Sequence, residues 1–75
     1  MEIDLEQDKK YQAVIELGVI EKLAGNEVIA GKLKDAGFKF VQVTGSGSQR
    51  NATGVWAKAS QRAPLPSQVK KVNKI

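Results

Sequence analysis

The chain has 75 residues, with no cysteine or histidine, 41% hydrophobic and 27% charged residues, and a formal net charge of +4. A chain this short predicts one domain, residues 1–75, that buries only about 60% of its unfolded surface. Without cysteine there is no disulfide or thiolate zinc site, and without histidine the commonest general base is missing.

No apolar run approaches the ~20 residues needed to span a bilayer. The opening MEIDLEQDKK is acidic and alternating, unlike a signal peptide. The expectation is a cytoplasmic protein that does not contact a membrane.

Charge is unevenly spread. All eight acids fall in the first 35 residues beside five bases, a local net of −3. Residues 36–75 hold Lys39, Arg50, Lys58, Arg62, Lys70, Lys71 and Lys74 with no acid, a net of +7. Such segregation points to a polyanionic partner or an acidic protein surface. The competing reading is a set of bases scattered over a solvated surface.

In chain order, residues 1–9 read as an acidic N-terminal arm, because chain ends are poorly ordered unless tied down. In KYQAVIELGV, Tyr11, Ala13, Ile15, Leu17 and Val19 alternate with wetter positions, the period of a half-buried strand. Asn26 then offers an N-cap, Ile29, Ala30, Leu33 and Ala36 an apolar stripe, and Gly37 a left-handed stop. FKFVQVT reads as a second strand and GVWAKAS as a third, with residues 45–54 as a long flexible hairpin loop between them. Pro64 and Pro66 stop the sheet, and residues 64–75 predict a short basic C-terminal helix capped by Ser67.

The expected fold is therefore α+β, a small two-layer sandwich in β-α-β-β-α order with a three-stranded sheet. If the first helix covers Tyr11, Ile15, Phe38, Phe40, Val55 and Ala57, the open face carries Val14, Lys39, Val41, Val43, Trp56 and Lys58. Trp56 beside two lysines would then be a stacking and phosphate-contacting platform. The inverted assignment puts Trp56 in the core.

Two family resemblances come from longer stretches. LKDAGFKFVQVTGSG followed by a basic, proline-bounded final helix resembles HicA-type toxins. Gly47 stands where that family's Gly-Ser-His stretch carries its catalytic histidine, so the resemblance implies no ribonuclease activity here. YQAVIELGV followed by KLKDAGF is similar to the first half of peptidoglycan-binding sporulation-related repeats, without their second helix–strand unit or membrane tether. Each covers about half the chain.

Nothing in the chain supplies a catalytic constellation. The acids have no fixed partner, metal binding would depend on those same acids, and Gly45-Ser46-Gly47 lacks the following helix that a phosphate loop requires. The expectation is a non-enzymatic binding module without cofactor or metal, whose basic second half meets a polyanion, nucleic acid first. Lys39, Arg50, Lys58, Arg62, Lys70, Lys71 and Lys74 would make the contacts and Trp56 would stack. The alternative is a small regulator or inhibitor that docks on an acidic protein surface through its open sheet face or an edge strand.

Overall fold

The computed structural model describes all 75 residues: six strands, one α-helix and a 3-10 turn. The strands are β1 (Glu2–Leu5), β2 (Lys10–Glu16), β3 (Phe38–Ser46), β4 (Gln49–Trp56), β5 (Gln61–Pro64) and β6 (Val69–Lys74). The 3-10 turn, Glu21–Leu23, precedes helix α1, Asn26–Ala36. Four strands form an antiparallel sheet in the order β3-β4-β2-β6, and β1 pairs with β5 in a separate two-stranded ribbon. This overturns the three-stranded β-α-β-β-α sandwich.

Strand β2 and the helix form where the alternation and the apolar stripe predict them. Ile29 and Leu33 face the core, and Gly37 ends α1 with φ 129°, its N–H donating to the Leu33 and Lys34 carbonyls. A side chain at Gly37 would also strike the Trp56 ring, 2.9 Å from where its Cβ would lie, so two constraints ask for glycine there. The hairpin strand β4 inserts between β2 and β3, so β2 and β3 run parallel without touching, a split crossover.

The expected flexible loop at 45–54 is strand instead. β3 runs to Ser46 and β4 starts at Gln49, leaving a two-residue turn, Gly47-Ser48, with Gly47 at φ 73°. The period of two continues through the stretch: Arg50, Ala52, Gly54 and Trp56 are buried, while Gln49 and Asn51 are exposed. Small polar residues disguised a strand whose inward positions are an arginine, an alanine and a glycine.

The acidic arm is also strand. Leu5 is among the most buried residues, β1 aligns Glu2 to Leu5 with Pro64 to Gln61, and the Glu6 N–H donates to the Tyr11 hydroxyl at 2.8 Å. Asp8 turns the chain into β2 with φ 66°, a conformation aspartate tolerates better than most residues.

The predicted C-terminal helix is β6, hydrogen-bonded to β2, with Val69 and Val72 on the inner side. The spacing of Val69 and Val72 fits a helix; in the strand the register shift at Lys70 puts both on the inner side, and pairing along the open edge of β2 decides the element.

One continuous core fills the space between the inner face of the large sheet, α1 and the β1–β5 ribbon. Tyr11, Ile15, Phe38, Ala52 and Trp56 from the sheet meet Ile29 and Leu33 of the helix, with Leu5, Ala63 and Leu65 from the ribbon side. Trp56 is 1% exposed, stands edge-on to Phe38 with ring centroids 5.0 Å apart, and donates its indole N–H to the Ala59 carbonyl at 3.0 Å. It is a core residue and no stacking platform.

Leu5→Ala is expected to cost about 2–5 kcal/mol, as a cavity in a packed core does. A urea midpoint left unchanged by that substitution would mean that residues 1–9 are a loose arm after all.

Candidate functional site

Folding redistributes the charge that looked segregated along the chain. Arg62 pairs with Glu2 and Asp4, Lys74 with Glu6, and Lys39 with Asp8 at 3.2 Å. Three of the eight candidate residues are thus matched by the N-terminal acids, because the ribbon and the β1–β2 turn bring the acidic start against the basic second half. These pairs are exposed and contribute little stability each. Their effect is to cancel field. Two more candidates, Arg50 and Trp56, are buried. Lys58, Lys70 and Lys71 remain exposed and in no ion pair.

Arg50 is 4% exposed and has no carboxylate partner. Its guanidinium is satisfied by neutral acceptors. Nε donates to the Gly47 carbonyl at 3.0 Å, Nη1 to Asn26 Oδ1 at 2.7 Å and Nη2 to the Lys22 carbonyl at 2.9 Å. Asn26 in turn donates Nδ2 to the Gly45 carbonyl at 3.1 Å. Gly25 is the N-cap, with no side-chain cap, so Asn26 holds the arginine instead of capping the helix. Arg50 is a structural clamp and no exposed fingertip.

The outer face of the four-stranded sheet is left uncovered, since α1 and the ribbon both pack on the other side. Cross-strand registers set its rows: Lys39, Val55 and Lys10; then Gln42, Thr53, Gln12 and Asn73; then Thr44, Asn51, Val14 and Lys71. Ser46, Gln49 and Glu16 close it at the turn end, and Glu16 is its one acid. Amides and hydroxyls fill the middle, with lysines at two corners and on the β6 side. Lys70 occupies the irregularity where β6 shifts register against β2.

At the rim of this face stands Phe40, 77% exposed. Simple alternation assigns it to the core with Phe38. A bulge intervenes: Lys39 pairs with Val55 and Gln42 with Thr53, so Phe40 and Val41 together oppose the single Gly54. Val41 turns inward, where a Cβ on Gly54 would come within 3.4 Å of its Cγ2, and Phe40 is turned out at φ 54°. That backbone is an outlier for a bulky residue and costs on the order of 1–2 kcal/mol. Lys39 Nζ lies 5.6 Å from the Phe40 ring centroid.

A second surface lies on the opposite side of the sheet. Val19, Ile20 and Leu23 are about 80% exposed, beside a groove of about 490 Å³ between the 3-10 turn, α1 and the β5–β6 connection. Glu21 fastens one end, accepting from the Gly18 N–H at 2.9 Å and from the Gln68 amide. Those two donors hold its carboxyl below its ordinary pKa.

Sequence reasoning missed Phe40, Lys10 and this aliphatic ridge. The ridge had a signal: Val19, Ile20 and Leu23 continue an apolar run past Gly18 with no matching stripe to bury them.

No cluster of three or more His, Cys, Asp or Glu side chains gathers anywhere. No helix is long and apolar enough to cross a membrane. Compared with protein-family models, curated proteins and solved structures, the chain matches none. The basic final helix that carried part of the resemblance to HicA-type toxins is strand β6.

Two outcomes are expected. Phe40→Asn, which suits a left-handed backbone, raises the urea midpoint by the equivalent of about 1 kcal/mol; a lower midpoint would mean that Phe40 packs usefully where it stands. Glu6 has a lowered pKa and Lys74 a raised one, chiefly because Lys74 hydrogen-bonds Glu6. A lowered carboxyl pKa stabilises above the unfolded value, and that contribution is lost as pH falls through the folded one. The protection factors of amides around Glu6 and Lys74, normalised for the intrinsic slowing of exchange in acid, should therefore drop below about pH 4, and Glu6→Gln should abolish that acid limb.

Proposed function

We propose that this protein is a small non-enzymatic, cytoplasmic binding module that takes a polyanion, nucleic acid first, on the uncovered face of its four-stranded sheet. One observation carries the reading. That face gathers Lys10 and Lys71, which are in no ion pair, and Lys39, which is paired with Asp8 of the β1–β2 turn, around a field of amides and hydroxyls, with Glu16 the one acid in its strand rows.

Lysines contact phosphates as point charges, and amide side chains can accept and donate to base edges or sugars. Phe40 offers the only exposed aromatic ring, held outward by a strained bulge beside Lys39. Strain of this kind tends to persist at functional positions, and a base stacked on an aromatic ring adds about 1–3 kcal/mol. The contact set differs from the one the sequence suggests. Lys39 and Lys71 stay, Lys58 and Lys70 lie outside the three cross-strand rows, Lys10 and Phe40 enter, and Arg50, Trp56, Arg62 and Lys74 leave.

Titration of a labelled single-stranded oligonucleotide at two salt concentrations tests the reading. Affinity should fall as salt rises, from counterion release. Lys10→Glu with Lys71→Glu should flatten the salt slope by about one contact per lysine, while Phe40→Ala should weaken binding with the slope unchanged. Absence of binding to DNA and RNA even at low salt would overturn it and leave a protein partner as the reading to pursue.

A further inference from the structure

We propose that the aliphatic ridge and its neighbouring groove form a two-fold interface between two copies of this chain. The ridge is Val19, Ile20 and Leu23, at 79%, 83% and 80% exposure, and half-exposed Val28 adjoins it. Scattered surface aliphatics are ordinary, but these fall within ten residues and flank an apolar groove. The groove is walled by Leu17, Ala24, Val28, Ile29, Pro66 and Val69, with Lys32 and Glu21 at its rim.

The segment is held in shape before any partner arrives. The Lys22 carbonyl accepts from Arg50, and the Lys22 N–H donates to the Gly18 carbonyl at 2.9 Å. The Leu23 N–H donates to the Ile20 carbonyl at 3.1 Å, and Glu21 ties Gly18 to Gln68. A ridge fixed in this way loses little further conformational freedom on docking.

Charge and shape select the occupant. Glu21, Lys22, Glu27 and Lys32 surround the apolar surface, two of each sign, and none belongs to an ion pair within the chain. A wholly acidic or wholly basic partner would meet as much repulsion as attraction. A second copy turned by a two-fold axis brings both signs to both sides, as isologous interfaces do. One chain also carries both an exposed aliphatic ridge and an adjoining apolar groove, so a two-fold contact that sets each ridge against the other copy's groove closes at two. The interface lies on the α1 side of the sheet and leaves the lysine-and-amide face of both copies free. It does not depend on what that face binds.

Sedimentation equilibrium of the full chain, from micromolar to millimolar concentration, tests the inference. The expected result is a rise from the mass of one chain to that of two. Ile20→Asp and Leu23→Asp should each shift the dimerisation constant at least tenfold toward monomer with an unchanged circular dichroism spectrum, since neither side chain is in the core. Val14→Asp, on the opposite face, should leave the dimer intact. A single-chain mass at millimolar concentration would overturn the proposal, and so would a dimer indifferent to both ridge substitutions. Oligonucleotide titration of Ile20→Asp separates the two readings: binding by a monomer keeps the sheet-face function whatever becomes of the dimer.

Discussion

A buried guanidinium with no carboxylate beside it fixes much of this small fold. Isolating a charge from water costs several kcal/mol unless hydrogen bonds replace its hydration. Each of the three guanidinium nitrogens of Arg50 donates one bond, to two carbonyls and one amide oxygen drawn from three segments: the β3–β4 turn, the 3-10 turn and the start of α1. The hairpin therefore cannot swing as a free finger, and the helix cannot use Asn26 as a conventional cap. Gly45, at φ 100°, lies so close that a Cβ there would come within 3.4 Å of the Arg50 Cα. The glycine-rich composition of this stretch serves packing around an arginine rather than mobility.

That clamp works at one end of the sheet, and the ribbon works at the other. β1 and β5 bring Leu5 and Ala63 into the core and close it near Trp56. Their pairing also sets Glu2 and Asp4 across from Arg62, while Glu6, just beyond β1, meets Lys74. Hydrophobic closure and charge cancellation follow from the same strand register. Four of the eight acids, Glu2, Asp4, Glu6 and Asp8, are paired with bases of the second half, and the outer sheet face is left with lysines and few acids. Net charge reports none of this.

Two surfaces of different chemistry then lie back to back. The outer sheet face is flat, wet and rich in hydrogen-bonding side chains, suited to a charged and hydrated ligand. The ridge beyond β2 is aliphatic and rigid, suited to a dry contact. They share no side chain. Phe40 belongs with the first because the bulge turns it to the rim of that face, and Arg50 serves the second because it holds the turn that presents Ile20 and Leu23.

Helix α1 was legible in the sequence because its apolar stripe and its terminating glycine are local signals, separated by three or four residues. Strand β2 was legible for the same reason, its inward residues Tyr11, Ala13 and Ile15 recurring at every second position. The expected sandwich failed where the deciding partner is far along the chain. β1 is a strand because of β5, about sixty residues away, and β6 because β2 offers it an edge; neither partner can be read from either segment alone. The tight turn at Gly47-Ser48 was missed because polar strand residues look like loop until their partners are known. Trp56, which composition left open between core and surface, is core because Phe38, Gly37 and the helix surround it. Phe40 is exposed because one extra residue opposite Gly54 reverses a face. Local periodicity determined the elements whose stability is local. Pairing, register and the cancellation of charge were decided by tertiary contacts, since hydrogen-bond ladders and Coulomb interactions depend on distance in space and not on distance along the chain.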